Sequence, residues 1–148
     1  MCRQKARPYL FSNTIAPPVV AGVIKVLEIL SATTERRDKL ENNTTFWRKG
    51  LQEMGLITKE GDTPIVPVML FNAKLAQDVS RDLYQEGVYA IGFFFPVVAQ
   101  GQARIRTQIS AGHEIHHLEK ALAAFRTVGK KYDILGKTKQ EIIEKYGM

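Results

Sequence analysis

The stretch from Ala103 to Ser110 constrains this chain more than any other. Ala103, Ile105, Thr107 and Ile109 alternate with Arg104, Arg106, Gln108 and Ser110. Successive side chains of a strand point to opposite faces, so the pattern sets an apolar row on one side and a polar row on the other. A chain that carries such a strand must cover one face of a sheet and leave the other for polar groups. The polar row presents two arginines, Arg104 and Arg106. Solvated charge on an antiparallel sheet accounts for them; an anion site is the sharper alternative, because the planar guanidinium fork grips a carboxylate through two parallel hydrogen bonds.

The segments around this strand supply the covering layer. Pro17-Pro18 opens an apolar run, Val19 to Leu30, and proline is tolerated in a first helical turn. Val19, Val20, Val23, Ile24, Val26, Leu27 and Leu30 spread over much of a helical surface, which predicts a mostly buried helix. A second helix is expected from about Thr34 to Met54, with Leu40, Phe46, Trp47, Leu51 and Met54 as its stripe and Gly55 as its stop. Gly61-Asp62-Thr63-Pro64 reads as a turn and Ile65 to Leu70 as a strand, in which Pro67 favours an edge or a bulge. Asn72 caps a helix running to about Glu86, ended by Gly87. Val88 to Ile91 reads as a short strand, Gly92 to Gln102 as an aromatic loop, and Glu114 to about Tyr132 as a helix over the apolar face. A last helix begins at Thr138, whose hydroxyl pairs with Glu141 in a capping box. Three strands with helices between them predict an α/β domain, a three-stranded sheet with helices on one face.

The net charge of +6 invites a nucleic-acid reading, but its distribution argues against one. Arg3, Lys5 and Arg7 carry three charges at one end, and residues 126–148 carry a net three at the other. Residues 8–125 balance twelve cations against twelve anions, so the body lacks the basic face that nucleic acid requires. The apolar run Val88 to Val98 is broken by Gly92 and Pro96 and falls short of a bilayer span. No signal-peptide pattern follows Met1, and a cytoplasmic, non-membrane protein is expected. The one cysteine, Cys2, permits no internal disulfide and has no organised partner that would make it a nucleophile.

Local motifs supply no complete catalytic centre. His113-Glu114-Ile115-His116-His117 spells H-E-x-x-H, but it falls where a strand gives way to a helix. His113 then sits at or before the cap, and no third-ligand pattern follows, so no metal site is expected. There is no Walker loop, no G-x-G-x-x-G and no G-x-S-x-G.

Two longer segments go further. Arg7-Pro8-Tyr9-Leu10-Phe11-Ser12-Asn13, followed by the Pro17-Pro18 helix, resembles a segment of the α-oxoamine synthases, pyridoxal-phosphate enzymes of the aminotransferase fold type I. Gly92-Phe93-Phe94-Phe95-Pro96-Val97-Val98 and Gly101 to Ala111 resemble the glycine C-acetyltransferase branch, as does Pro67-Val68-Met69-Leu70. Ala99-Gln100 departs from the Pro-Lys usual there. The resemblance implies a homodimeric enzyme that uses pyridoxal 5'-phosphate to condense glycine with acetyl-CoA into 2-amino-3-oxobutyrate. By motif, Arg106 would bind the glycine carboxylate, and Ser12 and Asn13 would reach the cofactor phosphate of the neighbouring subunit. Residues 1–32 would be the end of the large cofactor domain and residues 33–148 the small C-terminal domain; helix Val19–Leu30 would normally pack on the rest of the large domain and, left alone, would expose an apolar surface. The family's Schiff-base lysine lies upstream of the Arg-Pro-Tyr-Leu-Phe segment, so no catalytic residue is expected in this chain and inactivity is expected of it alone. The alternatives are another α-oxoamine synthase with a different acyl-CoA or amino acid, or a non-catalytic domain that binds an anionic partner on the Arg104/Arg106 face.

Overall fold

The computed structural model describes residue 5 and residues 15–147, and divides into two compact units, Met1–Arg36 and Arg37–Met148. Helix α1 (Pro17–Ala32) lies in the first, with proline in its opening turn. Its pattern predicts burial, yet it has no buried residue, and Val19, Val23 and Leu27 are each more than half exposed, as expected of this helix left without the rest of the large domain. No single described helix is long and apolar enough to cross a membrane.

Helix α2 (Glu35–Glu53) leads into the second unit, which holds β1 (Ile65–Phe71), α3 (Ala73–Gln85), β2 (Ile91–Phe93), β3 (Ala103–Gln108), α4 (Ile115–Lys131) and α5 (Lys139–Tyr146). The strands form an antiparallel sheet in the order β1-β3-β2. The alternation in β3 reports its faces: Ala103, Ile105 and Thr107 are buried, Arg104 is half-buried and Arg106 and Gln108 are exposed. The buried row joins Val66 and Val68 of β1, Trp47 and Leu51 of α2, Leu75, Ala76, Val79 and Leu83 of α3, and Phe125 and Val128 of α4 in one core.

Pro67 sits on the edge strand, as its missing N–H requires. Its carbonyl accepts from Lys59 N at 3.0 Å, so the vacant N–H position faces the outer edge rather than β3. Asn72 caps α3 through its side chain, and Thr138 and Glu141 close a capping box on α5.

The short second strand is displaced from Val88–Ile91 to Ile91–Phe93. Val88 donates its N–H to Leu83 O as α3 ends, and Ala90 O is taken by the Ser80 hydroxyl at 2.6 Å. Backbone groups spent on closing the helix are lost to the ladder, so pairing with β3 starts at Ile91. Gly92 follows because β2 runs hard against α3: a Cβ there would meet Ala76 O at 2.9 Å.

Asp82 ties α3 to the end of α4, accepting from Lys131 Nζ at 2.6 Å and Tyr132 Oη at 2.8 Å. Those two donors hold its carboxyl below the usual carboxylate range. Burial, reinforced by Asp82, pushes the Tyr132 phenol from 10.0 up to about 12.

A phenol whose folded pKa is raised contributes stability that is complete below its unfolded value and is lost as pH climbs from about 10 to about 12. Tyr132→Phe is expected to lower the unfolding free energy by about 1 kcal/mol at neutral pH and to flatten the alkaline loss, both read by urea titration across pH. The uncovered surface of α1 is expected to drive self-association; light scattering should give a mass that rises with concentration, and a single-chain mass at high concentration would contradict it.

Candidate functional site

The open face of the sheet is set by register. Ile91 lies opposite Arg106 and Phe93 opposite Arg104, while Pro67 and Met69 flank the same two arginines from β1. Directly paired residues of an antiparallel ladder share a face. The two arginines therefore stand among apolar neighbours. Among the described residues neither is paired with a carboxylate. Arg106 instead places its Cζ over the Phe93 ring, 5.5 Å from the centroid.

The reverse side of β3 is fixed by a buried relay. Trp47 Nε1 donates to Thr107 Oγ1 at 2.9 Å, and that hydroxyl donates onward to Val66 O at 2.6 Å. Trp47 also meets Phe125 edge to face, with centroids 5.5 Å apart. One residue, Thr107, thus links α2, β1 and β3 directly behind Arg106.

A cleft of about 660 Å³ opens where β2 stops and β3 runs on. Trp47, Ile91, Phe93 and Leu118 give it apolar walls, and Arg106 and Lys120 supply its charge. Among the described residues no aspartate or glutamate lines it. Its field is therefore positive, and an anion entering it meets no repelling carboxylate on the walls.

The H-E-x-x-H segment lies on the rim of this cleft and has a structural use. Glu114 is the N-cap of α4, so of the motif's first and last histidines His113 precedes the helix and His117 lies inside it. His113 Nδ1 accepts from Ser110 N at 3.2 Å and His117 Nδ1 from Glu114 N at 3.1 Å. Asn43 fastens the same loop through Ser110 O and His113 O. The Lys39 ammonium, 2.6 Å from Glu114, holds that carboxyl below its ordinary range. Among the described residues no group of three metal-capable side chains converges.

Arg106 is thus placed as expected, on the open face. Ser12 and Asn13 lie outside the described residues. Arg104 is on the same face but half-buried. Sequence reasoning missed Phe93 and the cleft. Phe93 reads as part of an aromatic loop, and only the register with β3 shows that it shares a face with the arginines.

The chain is similar to known proteins over most of its length. The model of the aminotransferase class I and II family matches residues 2–125, and the chain belongs to that family. It is 47% identical to the 2-amino-3-ketobutyrate coenzyme A ligase of Escherichia coli (strain K12) over 133 residues, 90% of this chain and 33% of that protein. It is 40% identical to the 8-amino-7-oxononanoate synthase of Thermosipho melanesiensis over 133 residues, 90% of this chain and 34% of that protein. Among solved structures, SPT with its PLP internal aldimine superposes with a TM-score of 0.85 at 28% identity, covering 90% of this chain and 34% of that one. The fold is that of the pyridoxal-phosphate-dependent fold type I proteins. The chain spans about a third of the length of the relatives it matches.

Thr107→Val keeps the shape but leaves the buried Trp47 indole N–H without an acceptor. It is expected to cost about 1–3 kcal/mol of stability, read by urea unfolding; an unchanged midpoint would show that the relay does not anchor β3.

Proposed function

We propose that this chain is the amino-acid-binding part of a pyridoxal-phosphate-dependent α-oxoamine synthase that joins glycine to acetyl-CoA, giving 2-amino-3-oxobutyrate and CoA. The observation that carries the reading is Arg106: a guanidinium on the open sheet face, without a carboxylate partner among the described residues, at a cleft with no acidic wall. A glycine carboxylate completes such a fork with two parallel charge-assisted hydrogen bonds. The greater identity to the 2-amino-3-ketobutyrate ligase than to the 8-amino-7-oxononanoate synthase favours glycine and a short acyl group.

The cofactor would need an amine to tether it, donors for its phosphate and an acid for its pyridine nitrogen. The described residues do not fit that need, because no carboxylate lines the cleft. When bound, pyridoxal phosphate supplies the electron sink for carbanion chemistry; what this chain adds is the substrate side. Arg106 binds and orients the amino acid through its carboxylate, and the apolar walls of Ile91 and Phe93 exclude water around that ion pair. We read residues 1–32 as the end of the cofactor domain, residues 33–148 as the small domain, and Ser12 and Asn13 as phosphate contacts across a homodimer. The tethering lysine belongs to sequence this chain does not contain.

Two measurements test this. The purified chain, given pyridoxal phosphate, glycine and acetyl-CoA, is expected to release no CoA thiol; sustained release would overturn the division of labour. Joined to the cofactor domain of the Escherichia coli relative, the chain is expected to form a glycine acetyltransferase. In that joined protein Arg106→Ala should lower kcat/KM for glycine by about 100-fold, the worth of a charge-assisted bidentate contact. Unchanged glycine kinetics would contradict the role given to Arg106.

A further inference from the structure

We propose that Phe93 is a positioning residue for Arg106, its ring holding the guanidinium ready to receive a carboxylate; the proposal rests on reading Arg106 as the carboxylate anchor. The ladder pairs Phe93 with Arg104, not with Arg106. Its ring nevertheless lies beneath the Arg106 guanidinium, across the diagonal, with 5.5 Å between Cζ and the centroid. Diagonal neighbours are within reach of an aromatic side chain on a twisted ladder.

That choice of neighbour has a chemical consequence. The five N–H donors of a guanidinium lie in its plane, whereas a ring attracts the cation through its face. Contact with the ring restrains the side chain without using a hydrogen-bond donor and without neutralising the charge. An acidic partner would hold Arg106 equally well but would occupy the fork that the substrate needs. An arginine on an exposed surface otherwise gives up rotamer freedom each time it binds, and the ring removes part of that freedom beforehand.

The ring is itself well founded. Phe93 follows Gly92, which sits against Ala76 of α3, and its neighbour Phe94 packs on the core. Behind Arg106, Thr107 is fixed by Trp47 and Val66. Both residues of the pair sit beside anchored positions, and both side chains line the cleft.

The test uses the full 148-residue chain labelled with nitrogen-15, following the arginine Nε–Hε resonances and assigning Arg106 by Arg106→Lys. Sodium formate serves as the carboxylate probe. In the unsubstituted chain the Arg106 resonance should carry a ring-current displacement and should move on addition of formate. Phe93→Leu should abolish the displacement and weaken formate binding by about twofold to fivefold, the range of an exposed cation–π contact. Phe93→Tyr should preserve both. Phe93→Ile, a strand-compatible side chain without a ring, repeats the test should the leucine variant fail to fold. If formate moves Arg106 with equal affinity in all variants, the carboxylate reading stands and the role of Phe93 is overturned. If formate moves Arg106 in none of them, the carboxylate reading fails and the proposal falls with it.

Discussion

A hydrogen-bonded relay from Trp47 through Thr107 to Val66 holds β3 in register with α2 and β1. A strand has a period of two, so a slip of one residue would send Arg106 into the core and Ile105 to the open face. Thr107 prevents that slip. Its hydroxyl is buried, and burying it is tolerable only where both the indole donor and the carbonyl acceptor meet it. A single register of β3 against α2 and β1 satisfies both. The direction in which Arg106 projects is therefore decided on the far side of the sheet, by a residue that no ligand on the open face would touch.

Much of this was legible in the sequence, for reasons that differ from element to element. The alternation Ala103–Ser110 reported both faces of β3 because one face is covered and the other is not. The caps at Asn72 and Thr138 were legible because a side-chain oxygen meeting a backbone N–H is a local event. Strand β2 was misplaced by three residues because Ser80 and Leu83, from a helix earlier in the chain, claim the backbone groups of Ala90 and Val88. Helix α1 was legible as a helix from its proline start and apolar run, and as an exposed one once the resemblance put the domain it packs on outside this chain. Phe93 was illegible as a site residue because its place beneath Arg106 depends on pairing between strands separated by a long loop.

The site that emerges is one-sided. It offers positive charge, apolar walls and a restrained guanidinium, and its cleft has no carboxylate. A wall of this kind suits a small anionic substrate held from one side while chemistry is supplied from another. The H-E-x-x-H segment shows the same economy. Both imidazoles that the motif would offer to a metal use Nδ1 to accept backbone N–H groups, and Glu114 closes the helix instead of polarising a water. Such a motif carries metal chemistry only when the helix places its two histidines on one face, and here the helix starts between them.

We propose that this chain holds the substrate side of the reaction and not the amine that tethers the cofactor. An absorbance titration of the purified chain with pyridoxal phosphate, in the presence and absence of glycine, tests it most directly. No saturable aldimine band is expected under either condition. A saturable band that shifts when glycine is added would place a functional lysine within these 148 residues and contradict the claim.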